Sequence, residues 1–70
     1  MKTATLNLFS TAIEIDGRTV VCARQTPRGW YWFSNIGRVG RGKFASKEAA
    51  LRAAARTIGF TITDVIQDRT

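Results

Sequence analysis

Seventy residues with a net charge of +6, 44% apolar residues, one cysteine and no histidine set narrow bounds. A chain this short makes one small binding domain over residues 1–70, with a thin hydrophobic core and no room for a deep active-site cleft. The lone Cys22 excludes an internal disulfide, and without histidine or paired cysteines the usual zinc ligand sets are missing, so neither metal nor cofactor is expected.

The charge is unevenly placed. No acid occurs between Asp16 and Glu48, whereas Arg18, Arg24, Arg28, Arg38, Arg41, Lys43 and Lys47 all fall in that interval. A one-signed stretch of this kind attracts polyanions, so nucleic acid, or a protein or nucleoprotein with an acidic surface, is the expected partner. The amino terminus alternates polar and apolar residues instead of holding an apolar h-region, and no apolar run approaches membrane-spanning length. A cytoplasmic protein without a membrane partner is expected.

From Thr3 to Ile15 the apolar residues alternate, with Leu6 and Leu8 on one phase and Ile13 and Ile15 on the other. A slip near Ser10 and Thr11 puts all four on one face, in one bulged strand or two short ones. Asp16-Gly17 is a strong hairpin signal, since a two-residue type I′ turn needs positive φ at both positions. Arg18 to Thr26 continues as a strand, and counting from the turn sets Ile15 opposite Arg18, Ile13 opposite Val20 and Thr11 opposite Cys22.

Thr26-Pro27-Arg28-Gly29 reads as a second turn. It pairs Arg24 with Tyr31 and Cys22 with Phe33, which assigns Cys22, Tyr31 and Phe33 to the core. Trp30 and Trp32 then decorate an open sheet face. Asn35 to Lys43 is a loop or a short glycine-broken hairpin, with Gly37, Gly40 and Gly42 separating Arg38 and Arg41.

Ser46 as N-cap and Glu48 in the first turn mark a helix from Lys47 to Ile58. Leu51, Ala54, Ala55 and Ile58 form its buried stripe, a Glu48 to Arg52 pair fits its solvated face, and Gly59 ends it. Phe60 to Gln67 alternates as a fourth strand, and Asp68 to Thr70 reads as a frayed tail. The predicted fold is α+β, a three- to four-stranded antiparallel sheet with one helix packed on one face, in the order β-β-β-α-β.

Catalysis finds little support. There is no histidine, Cys22 has no partner to activate it, and the acids are scattered, so that a carboxylate pair such as Glu14 with Asp64 depends on folding to unite it. A non-enzyme is expected. The glycine-rich segment Gly37-Arg38-Val39-Gly40-Arg41-Gly42 lacks the Gly-Lys-Ser/Thr ending of a nucleotide loop, but its amides and arginines can approach a phosphate. It can equally be a plain connection. The candidate site is Arg24, Arg28, Trp30, Trp32, Arg38, Arg41 and Lys43, with arginines on phosphates and tryptophans on bases.

The tryptophan-bearing strand and the run Gly42-Lys43-Phe44-Ala45-Ser46-Lys47-Glu48-Ala49-Ala50 resemble the ethylene-response-factor type of DNA-binding domain, whose fold the amino-terminal domains of some tyrosine integrases share. The resemblance implies a three-stranded sheet lying in the DNA major groove with a helix behind it, and Arg24, Arg28, Trp30, Trp32 and Arg38 as contact residues. This chain lacks the family's opening arginine-rich strand and adds a carboxy-terminal strand. In kind, a compact basic domain without catalytic residues also resembles small phage accessory proteins such as anti-CRISPR inhibitors, which implies binding to a host nucleoprotein. The expected function is nucleic-acid binding, with DNA as the expected nucleic acid; the alternative is a phage- or plasmid-encoded inhibitor or adaptor using the same surface. Either is compatible with a monomer or a homodimer.

Overall fold

A computed structural model describes residues 2–37 and 39–67, with Arg41 described by its backbone alone. The elements in chain order are β1 (Lys2–Asn7), β2 (Ala12–Ile15), β3 (Arg18–Thr26), β4 (Gly29–Ser34), β5 (Val39–Phe44), α1 (Lys47–Ile58) and β6 (Phe60–Ile66). They build one six-stranded sheet in the order β5-β4-β3-β2-β1-β6. The fold is α+β, but the sheet is larger than predicted and mixed: β6 runs parallel to β1, and every other neighbouring pair is antiparallel.

The two extra strands come from segments that were ambiguous in the sequence. The amino-terminal stretch breaks into β1 and β2, because the Asn7 side chain caps a turn between them. The Asn7 side-chain carbonyl accepts from the Ser10 amide at 3.0 Å, and Thr11 takes a positive φ of 59°. The glycine-broken segment forms a hairpin with β4 and supplies β5 at one edge of the sheet.

Turn chemistry follows the sequence closely. Asp16 and Gly17 take φ values of 52° and 77°, which fits the type I′ turn that joins β2 to β3. Pro27 and Arg28 form the loop between β3 and β4, where Thr26 pairs with Gly29 and its hydroxyl donates to the Gly29 carbonyl at 2.9 Å.

The helix matches its predicted bounds. Ser46 is in an extended conformation and its hydroxyl accepts from the Ala49 amide, while Gly59 adopts the left-handed conformation and donates to the Ala55 carbonyl. Glu48 accepts from Arg52 at 2.9 Å on the solvent side. Ala50, Leu51, Ala54 and Ala55 are buried against the sheet. The alanines bring the helix axis close to the strands, and Leu51, with no exposed surface, supplies roughly 1.5–3 kcal/mol by leaving water.

One irregularity decides which side chains lie under the helix. Ile15 pairs with Arg18 as expected, but the register shifts between Ile13 and Glu14, so Ile13 stands opposite Val21 and Ala12 opposite Cys22. Val20 is the extra residue of a bulge. Beyond it the phase of β3 is inverted: Val21 and Ala23 are buried under the helix, and Cys22 is half-buried on the opposite face.

The register between β3 and β4 is the predicted one, Arg24 to Tyr31 and Cys22 to Phe33, so the inversion passes unchanged into β4. Trp32 is therefore core, 4% exposed, and Trp30 packs half-buried at its margin. This reverses the expected faces, in which Cys22, Tyr31 and Phe33 were core and the tryptophans open.

The core joins Ala4, Leu6 and Leu8 of β1 and its turn, Ile13, Val21, Ala23 and Trp32 to the buried helix stripe. All of it lies on one side of the sheet. The Cα extents of 32 × 30 × 16 Å are those of a two-layer slab, and the second face of the sheet has no layer over it among the described residues.

Candidate functional site

The uncovered face carries two chemically different halves. On the β3–β4 half, Tyr31 and Phe33 lie with ring centroids 6.1 Å apart and planes inclined by 35°. The Arg24 guanidinium sits over Phe33, 5.6 Å from the ring centroid, within cation–π range. The strands dictate this cluster: Arg24 pairs with Tyr31 and Cys22 with Phe33, so Arg24 lies diagonally across from Phe33, within reach of a long side chain. Val39 of β5 pairs with Phe33 on the other side and is exposed.

At the turn end of this half, a notch of about 180 Å³ is lined by Arg28, Trp30, Tyr31 and Lys43 among others. Arg28 and Lys43 are both exposed. Arg24 thus covers Phe33, while Arg28 and Lys43 share the notch with Tyr31. Aromatic rings with cations beside them can stack planar groups and hold anionic ones.

The other half of the face is acidic and polar. Thr5 registers with Glu14 on one side and with Asp64 on the other, so the two carboxylates named from the sequence flank one threonine. Their Cα atoms are two strand spacings apart, about 10 Å. Glu14 accepts from the Asn7 side-chain amide at 3.3 Å. The face is thus electrostatically polarised across the strands, with a polyanion favoured at the β3–β5 side and disfavoured at the β1–β6 side.

Of the residues proposed from sequence, Arg24 lies over Phe33, and Arg28 and Lys43 line the notch beside Tyr31. Trp32 is removed from the accessible surface by burial, and Trp30 keeps a partly exposed edge in the notch. Arg38 and the side chain of Arg41 lie outside the described residues. Tyr31 and Phe33 are the site residues that the sequence reading assigned to the core.

The glycines of β5 carried the missing signal. A Cβ at Gly40 would fall on the Trp32 indole, and one at Gly42 would fall on the Phe44 ring. Two glycines alternating in a strand are the space that two large rings need. For Gly40 and Gly42 the missing side chain serves this packing, while Gly37, with φ of 86°, serves the β4–β5 turn.

Comparison of the chain with protein-family models, with curated proteins and with solved structures gave no significant match. The geometry of the face is therefore what speaks to function. No helix among the described residues is long and apolar enough to cross a membrane.

Proposed function

We propose that this chain is a non-enzymatic nucleic-acid-binding module acting in the cytoplasm, with the β3–β4 half of the open face as its interface. The observation that carries the reading is the uncovered cluster of Arg24, Tyr31 and Phe33 on strands whose other face is sealed by the helix. Arg24 presents a planar cation on the ring of Phe33, and Tyr31 offers a second surface for a base. Arg28 and Lys43 take the flanking phosphates. Stacking of this kind requires unstacked bases, so unpaired DNA is the favoured ligand, each stacked base contributing about 1–3 kcal/mol.

Fluorescence anisotropy with labelled single-stranded DNA, single-stranded RNA and duplex DNA at about 50 mM and about 200 mM salt tests this. With three cations engaged, log K should fall against log salt with a slope of about −2 for a single strand. Absence of binding to all three probes at the lower salt would sink the proposal.

A second reading draws on a different observation. Val39, 56% exposed, pairs with Phe33, and Ile36, 66% exposed, lies in the β4–β5 turn. Exposed aliphatic side chains next to an arginine and aromatic rings suit a protein partner with an acidic rim. An inhibitor or adaptor that docks on a host nucleoprotein, in the manner of anti-CRISPR proteins, fits that surface. Ile36→Ser separates the two readings, since it should spare DNA binding and weaken a protein complex.

A further inference from the structure

We propose that β6 is a self-pairing edge, joining antiparallel to the β6 of a second copy of this chain so that two six-stranded sheets become continuous. The inference is independent of the nucleic-acid reading and starts from the contrast between the two edges of the sheet. β5 is protected in the usual ways: glycines at 40 and 42 interrupt it, and Lys43 charges it. β6 has a bulge at Thr63 and one carboxylate, Asp64, but neither glycine nor cation.

Its seven residues, Phe-Thr-Ile-Thr-Asp-Val-Ile, contain no lysine, arginine, proline or glycine and are rich in β-branched side chains. One side of the strand is bonded to β1, and the other ends the sheet. The exposed apolar surface gathers there as well. Of the five large hydrophobic residues exposed among the described residues, Val65 and Ile66 lie on this strand and Phe9 in the turn next to its end, following Leu8, whose amide donates to the Ile66 carbonyl at 2.9 Å.

Charge favours this edge over the rest of the surface for a second copy, with a single carboxylate, Asp64, on each strand. In a chain of net charge +6, self-association is least opposed where no cation lies, and from Phe60 to Gln67 there is none. The same feature leaves an acidic strand or a polyanion without a counter-charge at this edge. A strand that pairs antiparallel with its own copy does so about a two-fold axis normal to the sheet, so the uncovered faces of both protomers lie on one side. The two Tyr31–Phe33 clusters then stand nine strand spacings apart, about 43 Å along the sheet.

Because the Ile66 carbonyl is engaged by Leu8, the peptide groups of Ile66 face β1, and strand alternation turns those of Val65 to the open edge. Val65→Pro therefore removes an intermolecular donor without removing a bond inside the sheet. Val65→Lys adds the charge that natural edges use. Both variants and the native chain are compared by light scattering coupled to size exclusion, over a concentration series and without nucleic acid, with circular dichroism to confirm folding.

The expected result is a native mass that rises with concentration towards twice 7.8 kDa, and a return to 7.8 kDa in both variants. Val39→Lys, at the opposite edge, should leave the native behaviour unchanged. If Val65→Pro fails to fold, Val65→Lys decides. A native chain that stays at 7.8 kDa throughout, a dimer that survives in a folded Val65→Lys, or dissociation by Val39→Lys instead, each overturns the proposal.

Discussion

Gly40 lies directly beneath the indole of Trp32, so close that a Cβ on the glycine would occupy the ring. β5 can therefore close over β4 only because this position has no side chain. Gly40→Ala should cost roughly 1–3 kcal/mol through overpacking, a large share of the stability of so small a domain. Gly17→Ala is the matched control, since Gly17 has positive φ but nothing within 4 Å of its would-be Cβ. It should cost about 1 kcal/mol, from backbone conformation alone. Urea unfolding of the two variants checks the order, and a Gly40→Ala variant as stable as the native chain would place the indole elsewhere.

Trp32 and Tyr31 are adjacent in sequence and opposite in duty. Trp32→Ala empties the largest buried ring and should cost about 3–5 kcal/mol, enough to unfold the chain or bring it to the edge of unfolding. Tyr31→Ala, on the uncovered face, should leave a folded domain with DNA affinity reduced by about 1–3 kcal/mol, roughly 5- to 150-fold. Circular dichroism and anisotropy on the pair separate the roles. The opposite pattern, with Trp32→Ala folded but unable to bind, would return the tryptophans to the interface.

Why the sequence led to the wrong face is a matter of one residue. The helix, its cap at Ser46, its stop at Gly59 and both early turns rest on local chemistry, and local chemistry is written in neighbouring residues. The β3–β4 register was readable for the same reason, because Pro27 and Arg28 fix it. Which face the helix covers depends instead on the bulge at Val20, and Val20-Val21 offers two equivalent residues for one place under the helix. Nothing local distinguishes them. The choice is made by packing at a distance, where Trp32 needs both the small residue Ala23 beside it and the gap at Gly40. β6 beside β1 was beyond local reading too, since their pairing joins residues nearly the whole chain apart. The basic half of the site survived because Arg28 lies in a turn and Lys43 on an edge strand, and because Arg24 moves to the open face together with Tyr31 and Phe33.

The helix start offers a stability test that leaves the interface untouched. The Ser46 hydroxyl accepts from the Ala49 amide at 3.2 Å, and Ser46→Ala leaves that amide without its cap. The expected loss is about 1 kcal/mol. Glu48→Gln, which breaks a solvent-exposed pair with Arg52, should cost no more than about 0.5 kcal/mol. Thermal unfolding measures both, and DNA binding by either variant should match the native chain at temperatures where it is folded. A binding defect in Ser46→Ala below its unfolding transition would move part of the interface to the helix side.

Arg24 separates charge from shape at the interface. Its guanidinium rests over Phe33, so it offers a planar surface as well as a positive charge. Arg24→Gln loses both the charge and the stacking plane, and should lower affinity and reduce the salt slope by about 0.7 for a single strand. Arg24→Lys keeps the charge but loses the plane that stacks on the ring and on a base. It should keep the native salt slope while still binding more weakly. Anisotropy titrations at several salt concentrations give slope and affinity together. If Arg24→Lys binds as the native chain does, Arg24 acts only as a point charge, and base contact must then rest on Tyr31 and Phe33 alone.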